Sequence, residues 1–178
     1  LQLFDTARRL FMWDDYDEVG IDHFARKGDS MAVAARDGTL RRNFQGYTVD
    51  TGVALVGLGA SAISRFPQGY AQNRPGTGDY AKAVEAGSFA TKRGHAFTPD
   101  DLMRGRIIEQ LMCRFRTDRV ELQRHYGADP ALLDRLFAQA EAEFGAYVRR
   151  VPGGLEIPQE GRPLTRMIAR LFDAYELD

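Results

Sequence analysis

Residues 53–58 read Val-Ala-Leu-Val-Gly-Leu, an unbroken apolar run bordered by glycine, and no other stretch restricts the fold as much. Its length and its glycines suit a strand buried on both faces, as strands of parallel sheets are. Such a strand needs paired neighbours and helical cover. Before it, a helix is expected over about Leu3 to Met12, with Leu3, Ala7, Leu10 and Phe11 on one face. Glu18–Phe24 follows, where Val19 and Ile21 alternate as in a strand. A short helix is expected from about Ser30 to Arg36, capped by Asp29 or Ser30 and closed by Gly38. Asn43–Tyr47 is an extended or turning segment. Two strands cannot make a stable parallel sheet with both faces covered. Residues 1–66 are therefore expected to be the last units of a larger barrel or sheet.

The pattern then changes. From Phe66 to Gly78 the residues Pro67, Gly69, Pro75, Gly76 and Gly78 predict a loop. Asp79–Ala86 is a short helix. Thr98-Pro99-Asp100-Asp101 is a strong helix start, with Thr as cap, Pro in the first helical position and acids in the first turn. That helix is expected to bury Met103, Ile107, Ile108, Leu111, Met112 and Phe115. Further helices are expected over about Val120–His125 and from Asp129-Pro130 onward, the latter through Leu133, Phe137, Ala140 and Phe144. Val151–Ile157 reads as a turn and a short strand. A last helix carries Leu164, Met167, Ile168, Leu171, Phe172 and Tyr175. The fold class expected is α/β. Residues 1–66 form the end of a barrel or sheet, 67–97 a connection, and 98–178 a mainly helical, winged-helix-like domain.

Composition excludes several functions. A hydrophobic content of 44% with 28% charged residues is that of a chain that buries a core. The net charge of −1 gives no general attraction to nucleic acid or anionic membrane. Acids interleave with the arginines at 104, 106, 114, 116, 119 and 124, so no basic stripe forms and no nucleic-acid partner is expected. No apolar run approaches the roughly 20 residues of a membrane span. The opening Leu1-Gln2-Leu3-Phe4-Asp5 lacks the basic segment of a signal peptide and reads like the middle of a longer chain. The single Cys113 suits a reducing, cytoplasmic compartment and cannot form a cysteine-only metal or iron–sulfur site by itself. It lies in the Ile108–Phe115 stripe and reads as a buried small hydrophobe.

Three groups of residues could meet a ligand. Gly57-Leu58-Gly59-Ala60-Ser61 follows the apolar run and could open a helix, bringing backbone amides close to a ligand. Tight-turn packing is the alternative there, since the full dinucleotide pattern is broken at Ala62. His23 stands at the end of a predicted strand, where it could bind or transfer protons, or simply bond to a neighbouring loop. Arg26, Lys27, Arg41 and Arg42 supply cations nearby that would suit a substrate with several carboxylates, or a solvated charged loop. The residues show no catalytic group and no metal site.

Several strings carry a resemblance. They are Gly20-Ile21-Asp22-His23-Phe24-Ala25-Arg26, Leu40-Arg41-Arg42-Asn43-Phe44-Gln45-Gly46-Tyr47-Thr48, Gly57-Leu58-Gly59-Ala60-Ser61-Ala62-Ile63-Ser64, Tyr70-Ala71-Gln72-Asn73 and Leu171-Phe172-Asp173-Ala174-Tyr175. In order and spacing the sequence resembles the C-terminal portion of the oxygen-independent coproporphyrinogen III oxidases, a radical S-adenosylmethionine (SAM) family. The resemblance implies a partial (β/α) barrel followed by a helical domain. It implies SAM and a four-iron four-sulfur cluster as cofactors, with coproporphyrinogen III and an electron donor for the cluster as partners. By position Phe44, Gln45, Gly59 and Ile63 match residues that line the SAM sites, and His23, Arg26 and Arg41 are candidates for the substrate. The family holds its cluster with three cysteines spaced C-x3-C-x2-C, and no such string occurs here. The chain alone is expected to be inactive, and residues 1–66 to self-associate or be partly disordered at an uncovered barrel edge. The rival reading is a non-catalytic haem- or porphyrin-binding module.

Overall fold

The computed structural model describes residues 2–175; Leu1, on which the sequence reading of the chain's opening rests, lies outside them. The chain forms two compact units. One joins the residues up to Asp50 with those from Asp101 onward, and the other is Thr51–Asp100. Both helices and strands are present, and every strand pairing among the described residues is antiparallel.

In the first unit, helix α1 (Gln2–Trp13) takes up the expected amphipathic segment. It rests on a hairpin of β1 (Tyr16–Val19) and β2 (His23–Arg26), with Phe11 stacked on Phe24 at 4.7 Å. The single strand expected over Glu18–Phe24 is thus two. Gly20 breaks it, turning the chain at φ +62°, a conformation that only glycine adopts without cost. Helix α2 (Ser30–Arg36) is capped by Asp29, whose side chain accepts from Met31 N. A second hairpin pairs β3 (Arg41–Asn43) with β4 (Gly46–Thr48), so Phe44 and Gln45 form its two-residue turn. Val19, Ala25, Ala32, Ala34, Leu40, Tyr47 and Cys113 make one small core.

The larger core belongs to the later helices. Helix α4 (Pro99–Arg114) buries Met103, Ile107, Leu111 and Met112, close to the predicted stripe. It packs with α5 (Arg119–Tyr126) and α6 (Pro130–Phe144) around Leu122, Leu133 and Phe137. The aspartates Asp118 and Asp129 cap these two helices. Strands β8 (Arg149–Val151) and β9 (Gly154–Glu156) form a small hairpin. Its Gly154 leaves no room for a side chain, since a Cβ would stand 2.3 Å from Thr117 Oγ1. The last helix is shorter than its apolar stripe predicted. Helix α7 (Thr165–Arg170) has six residues, and Leu171 and Phe172 continue in tight turns, bonding to Ile168 O and Ala169 O. Phe172 still reaches the core, so the stripe marks burial beyond the helix itself.

In the second unit the apolar run departs from expectation. Residues 53–58 form no strand beyond one bridge from Leu55 to Arg65, and Val53 and Leu58 are 75% and 85% exposed. Among the described residues no parallel strand pairs with it. The stretch read as loop from Phe66 to Gly78 instead holds the central strand of a three-stranded sheet. The order is β5 (Ile63–Phe66), β6 (Gly69–Asn73) and β7 (Thr91–Ala96). Pro67 and Gly69 mark the ends of strands here. A Cβ on Gly69 would lie 2.0 Å from His95 O, so close strand approach selects glycine. Helix α3 (Thr77–Glu85) links β6 to β7.

Candidate functional site

The first unit brings its two hairpins together around one side chain. The Tyr47 hydroxyl donates to Met112 O and accepts from Ile21 N, each at 2.9 Å, so it ties the β1–β2 turn to the end of α4. Burial, only partly offset by the Ile21 N–H, pushes the Tyr47 phenol above its ordinary range. Gly20 is required twice over, since a Cβ there would sit 2.0 Å from Tyr47 Cζ. His23 packs edge-on against the same ring at 5.1 Å. Its Nδ1 donates to Asp22 Oδ1 at 2.8 Å, and Asp22 Oδ2 accepts from Arg166 Nη2 at 2.6 Å. With Nδ1–H donating to the carboxylate, Nε2 is the ring's remaining polar atom. His23 therefore begins a strand instead of ending one, and its ring is oriented by two fixed neighbours.

The Phe44–Gln45 turn is equally fixed. Asn43 Oδ1 accepts from Gln45 N at 2.8 Å and from Gly46 N at 3.3 Å. Phe44 is half exposed on this turn. Arg42 lies over the Tyr47 ring at 5.5 Å. Arg41 gives its Nε to Glu109 Oε1 at 2.9 Å, while Arg26 lies over Tyr16 at 5.5 Å. The cations gathered by the sequence thus have defined partners. Lys27 pairs with Asp15 and takes a raised pKa, first from that hydrogen bond and then from the charge.

Beside this cluster a cleft of about 480 Å³ opens, lined among others by Arg8, Glu18, Ile21, Asp22, Phe115 and Arg162. Arg8 grips Glu18 through both Nε and Nη2. Arg162 stacks on Phe115 at 4.3 Å with its Nη1 3.7 Å from Glu18. The cleft therefore combines an aromatic wall with guanidinium groups balanced by carboxylates. Sequence reasoning missed Arg8, Glu18 and Arg162, which lie far apart in the chain and carry no local signal.

In the second unit, Gly57–Ser61 is a held loop and opens no helix. Asn73 Nδ2 donates to Gly57 O at 3.1 Å and Gly59 O at 3.0 Å, and Gly59 N donates to the Tyr80 hydroxyl at 3.1 Å. Gly59 has φ +103°, and Ser61 takes φ +62° despite its side chain. Ile63 begins β5 directly afterwards. Phe44 and Gln45 thus stand in one compact unit and Gly59 and Ile63 in the other. Cys113 is buried, and burial first of all pushes its thiol up to about 12, so it is no thiolate at neutral pH. Among the described residues no group of three or more His, Cys, Asp or Glu is placed to hold a metal ion, and no helix is long and apolar enough to cross a membrane.

Comparison with known proteins is decisive over the whole chain, although no family model matches. It is 55% identical over 177 residues to an oxygen-independent coproporphyrinogen III oxidase of Paracoccus denitrificans, covering 99% of this chain and 39% of that protein. A second such oxidase, from Cereibacter sphaeroides, is 51% identical over 176 residues, again over 39% of its length. Among solved structures, the coproporphyrinogen III oxidase of Escherichia coli, described as a radical SAM enzyme, superposes with a TM-score of 0.89 at 34% identity. That match covers 97% of this chain and 40% of that one.

Proposed function

The chain belongs with the oxygen-independent coproporphyrinogen III oxidases, matching the C-terminal part of proteins of which it spans about two fifths, and from this we propose that it serves as that part of such an enzyme. The whole protein would decarboxylate two propionates of coproporphyrinogen III oxidatively to vinyl groups, giving protoporphyrinogen IX in haem synthesis. SAM and a four-iron four-sulfur cluster would supply the radical chemistry, with an external electron donor for the cluster, in the cytoplasm. The observation that carries the reading is identity of 55% sustained over nearly the entire chain.

The residues at hand fit one cofactor and not the other. A half-exposed phenylalanine beside a glutamine on a pinned turn suits a molecule with a flat ring and polar ends. That supports Phe44 and Gln45 as SAM contacts, the role their family position implies; Gly59 and Ile63, in the other unit, are proposed on family position alone. The cluster finds no ligands here, because the one cysteine is buried and protonated. His23, Arg26 and Arg41 are the candidates for contact with propionates, Arg41 being already engaged by Glu109. Within the whole protein we read residues 1–66 as the last units of a partial (β/α) barrel, 67–97 as a connection and 98–178 as a winged-helix-like domain, as the family pattern implies.

A chimera tests the reading. The matching C-terminal part of the Paracoccus denitrificans oxidase is replaced by this chain, and anaerobic conversion of coproporphyrinogen III to protoporphyrinogen IX is measured. Restored turnover is expected. A folded chimera that carries its cluster and yet never converts substrate would count against the proposal.

A further inference from the structure

We propose that Glu109 is a positioning residue that sets the Phe44–Gln45 turn against α4, and so governs how that turn meets its ligand; the ligand's identity as SAM rests on the reading above.

Glu109 accepts from three donors. Its Oε1 takes Arg41 Nε at 2.9 Å and Arg42 N at 3.3 Å, the two residues that open β3. Its Oε2 takes Arg106 Nη1 at 2.6 Å. One helical turn further along α4, Met112 O receives the Tyr47 hydroxyl from the other strand of the same hairpin. Residues three apart share a helix face, so α4 holds both strands of the hairpin from one side. Between these anchors the turn is closed by Asn43.

The carboxylate is itself immobilised. Arg106 is 8% exposed and gives Nε to Glu121 Oε1 at 2.6 Å. Glu121 Oε2 accepts from Gln110 Nε2 at 3.0 Å, and Gln110 Oε1 accepts from Asp118 N at 3.0 Å. A relay of charge-assisted bonds thus runs from the start of α5 through α4 to the hairpin. Such bonds fix direction as well as distance, which a turn presenting an exposed aromatic ring cannot do by packing alone. Arg41 and Glu109 are 68 residues apart, so nothing local in the sequence marks the pair.

The test is hydrogen exchange on the purified chain, comparing wild type, Glu109→Ala and Glu109→Gln. In Glu109→Ala the amides of residues 42–47 should exchange about tenfold faster, the scale of one net hydrogen bond to a charged group, while α6 is unchanged. Glu109→Gln keeps an acceptor oxygen and should restore much of the protection. Unchanged exchange in the hairpin, or equal loosening of α6, overturns the proposal. In the chimera, Glu109→Ala should raise KM for SAM several-fold while kcat holds, the pattern of lost uniform binding when the turn's resting geometry is displaced. If the hairpin loosens and KM stays put, the positioning role stands and the SAM assignment of Phe44 and Gln45 fails.

Discussion

Gly20 is held to glycine by its backbone and by its neighbour. A left-handed residue with a side chain costs roughly 1–2 kcal/mol, and overpacking against a fixed ring adds about 1–3 kcal/mol. Gly20→Ala should therefore lower stability by about 2–5 kcal/mol in urea unfolding. Gly38→Ala is the control. It is also left-handed, at φ +68°, but has only Arg114 Nε at 3.9 Å from a Cβ, so it should lose only the backbone part. Cys113 gives a pH prediction. Its thiol titrates near 12 in the folded chain against a reference of 9.0. The folded state therefore keeps its proton where the unfolded state loses it. Stability from this group is complete below about pH 9 and declines as pH rises toward 12. Urea midpoints measured upward from pH 8 should fall more steeply in wild type than in Cys113→Ala. Burial of Cys113 was readable from its place in an apolar stripe, whereas the double constraint on Gly20 was not, because Tyr47 arrives from 27 residues away.

Among the elements, α4 is the one that both cores share, with Leu111 in one and Cys113 in the other. Its start, length and apolar face were legible because capping and the helical period are local. Its polar face was not, since Glu109, Gln110 and Arg106 look like ordinary surface residues until β3 and α5 fold against them. Burial lowers the Arg106 pKa, but the hydrogen bonds it donates to Glu121 and Glu109 outweigh this and raise it overall. For Glu121, burial pushes the carboxyl up, yet the Arg106 bond and charge bring it below the ordinary value. Removing the cation takes the closest positive charge from both carboxylates, leaving Glu109 to Arg41 and Glu121 to Gln110. Arg106→Leu should cost about 3–5 kcal/mol, the penalty for breaking a buried pair from one side. A loss under about 1 kcal/mol in the same urea assay would show that the carboxylates find water or another partner.

At the scale of the molecule, the proposed role as a dependent part predicts that the chain alone should not start radical chemistry. The purified chain, supplied with SAM and a strong reductant, should release no 5′-deoxyadenosine; release would overturn its reading as a dependent part. Helix α1 buries no residue and leaves Leu3 and Trp13 nearly nine-tenths exposed. Apolar surface of that kind favours association, so light scattering should report species above 20.0 kDa at high concentration. A single monomeric species across the concentration series would refute this.

The sequence by itself determined the helices α1, α2, α3, α4, α5 and α6, the burial of Cys113 and the motif strings that led to the family. Each depends on near neighbours or on a short exact string. Tertiary structure alone decided the rest. It split Glu18–Phe24 at Gly20, left Val53–Leu58 outside any strand, and made a central strand of Gly69–Asn73. It also joined Arg41 to Glu109 and Asp22 to Arg166. Strand pairing and ion pairing are chosen between distant segments, and a one-dimensional pattern records which residues can be buried or charged, not what they will meet.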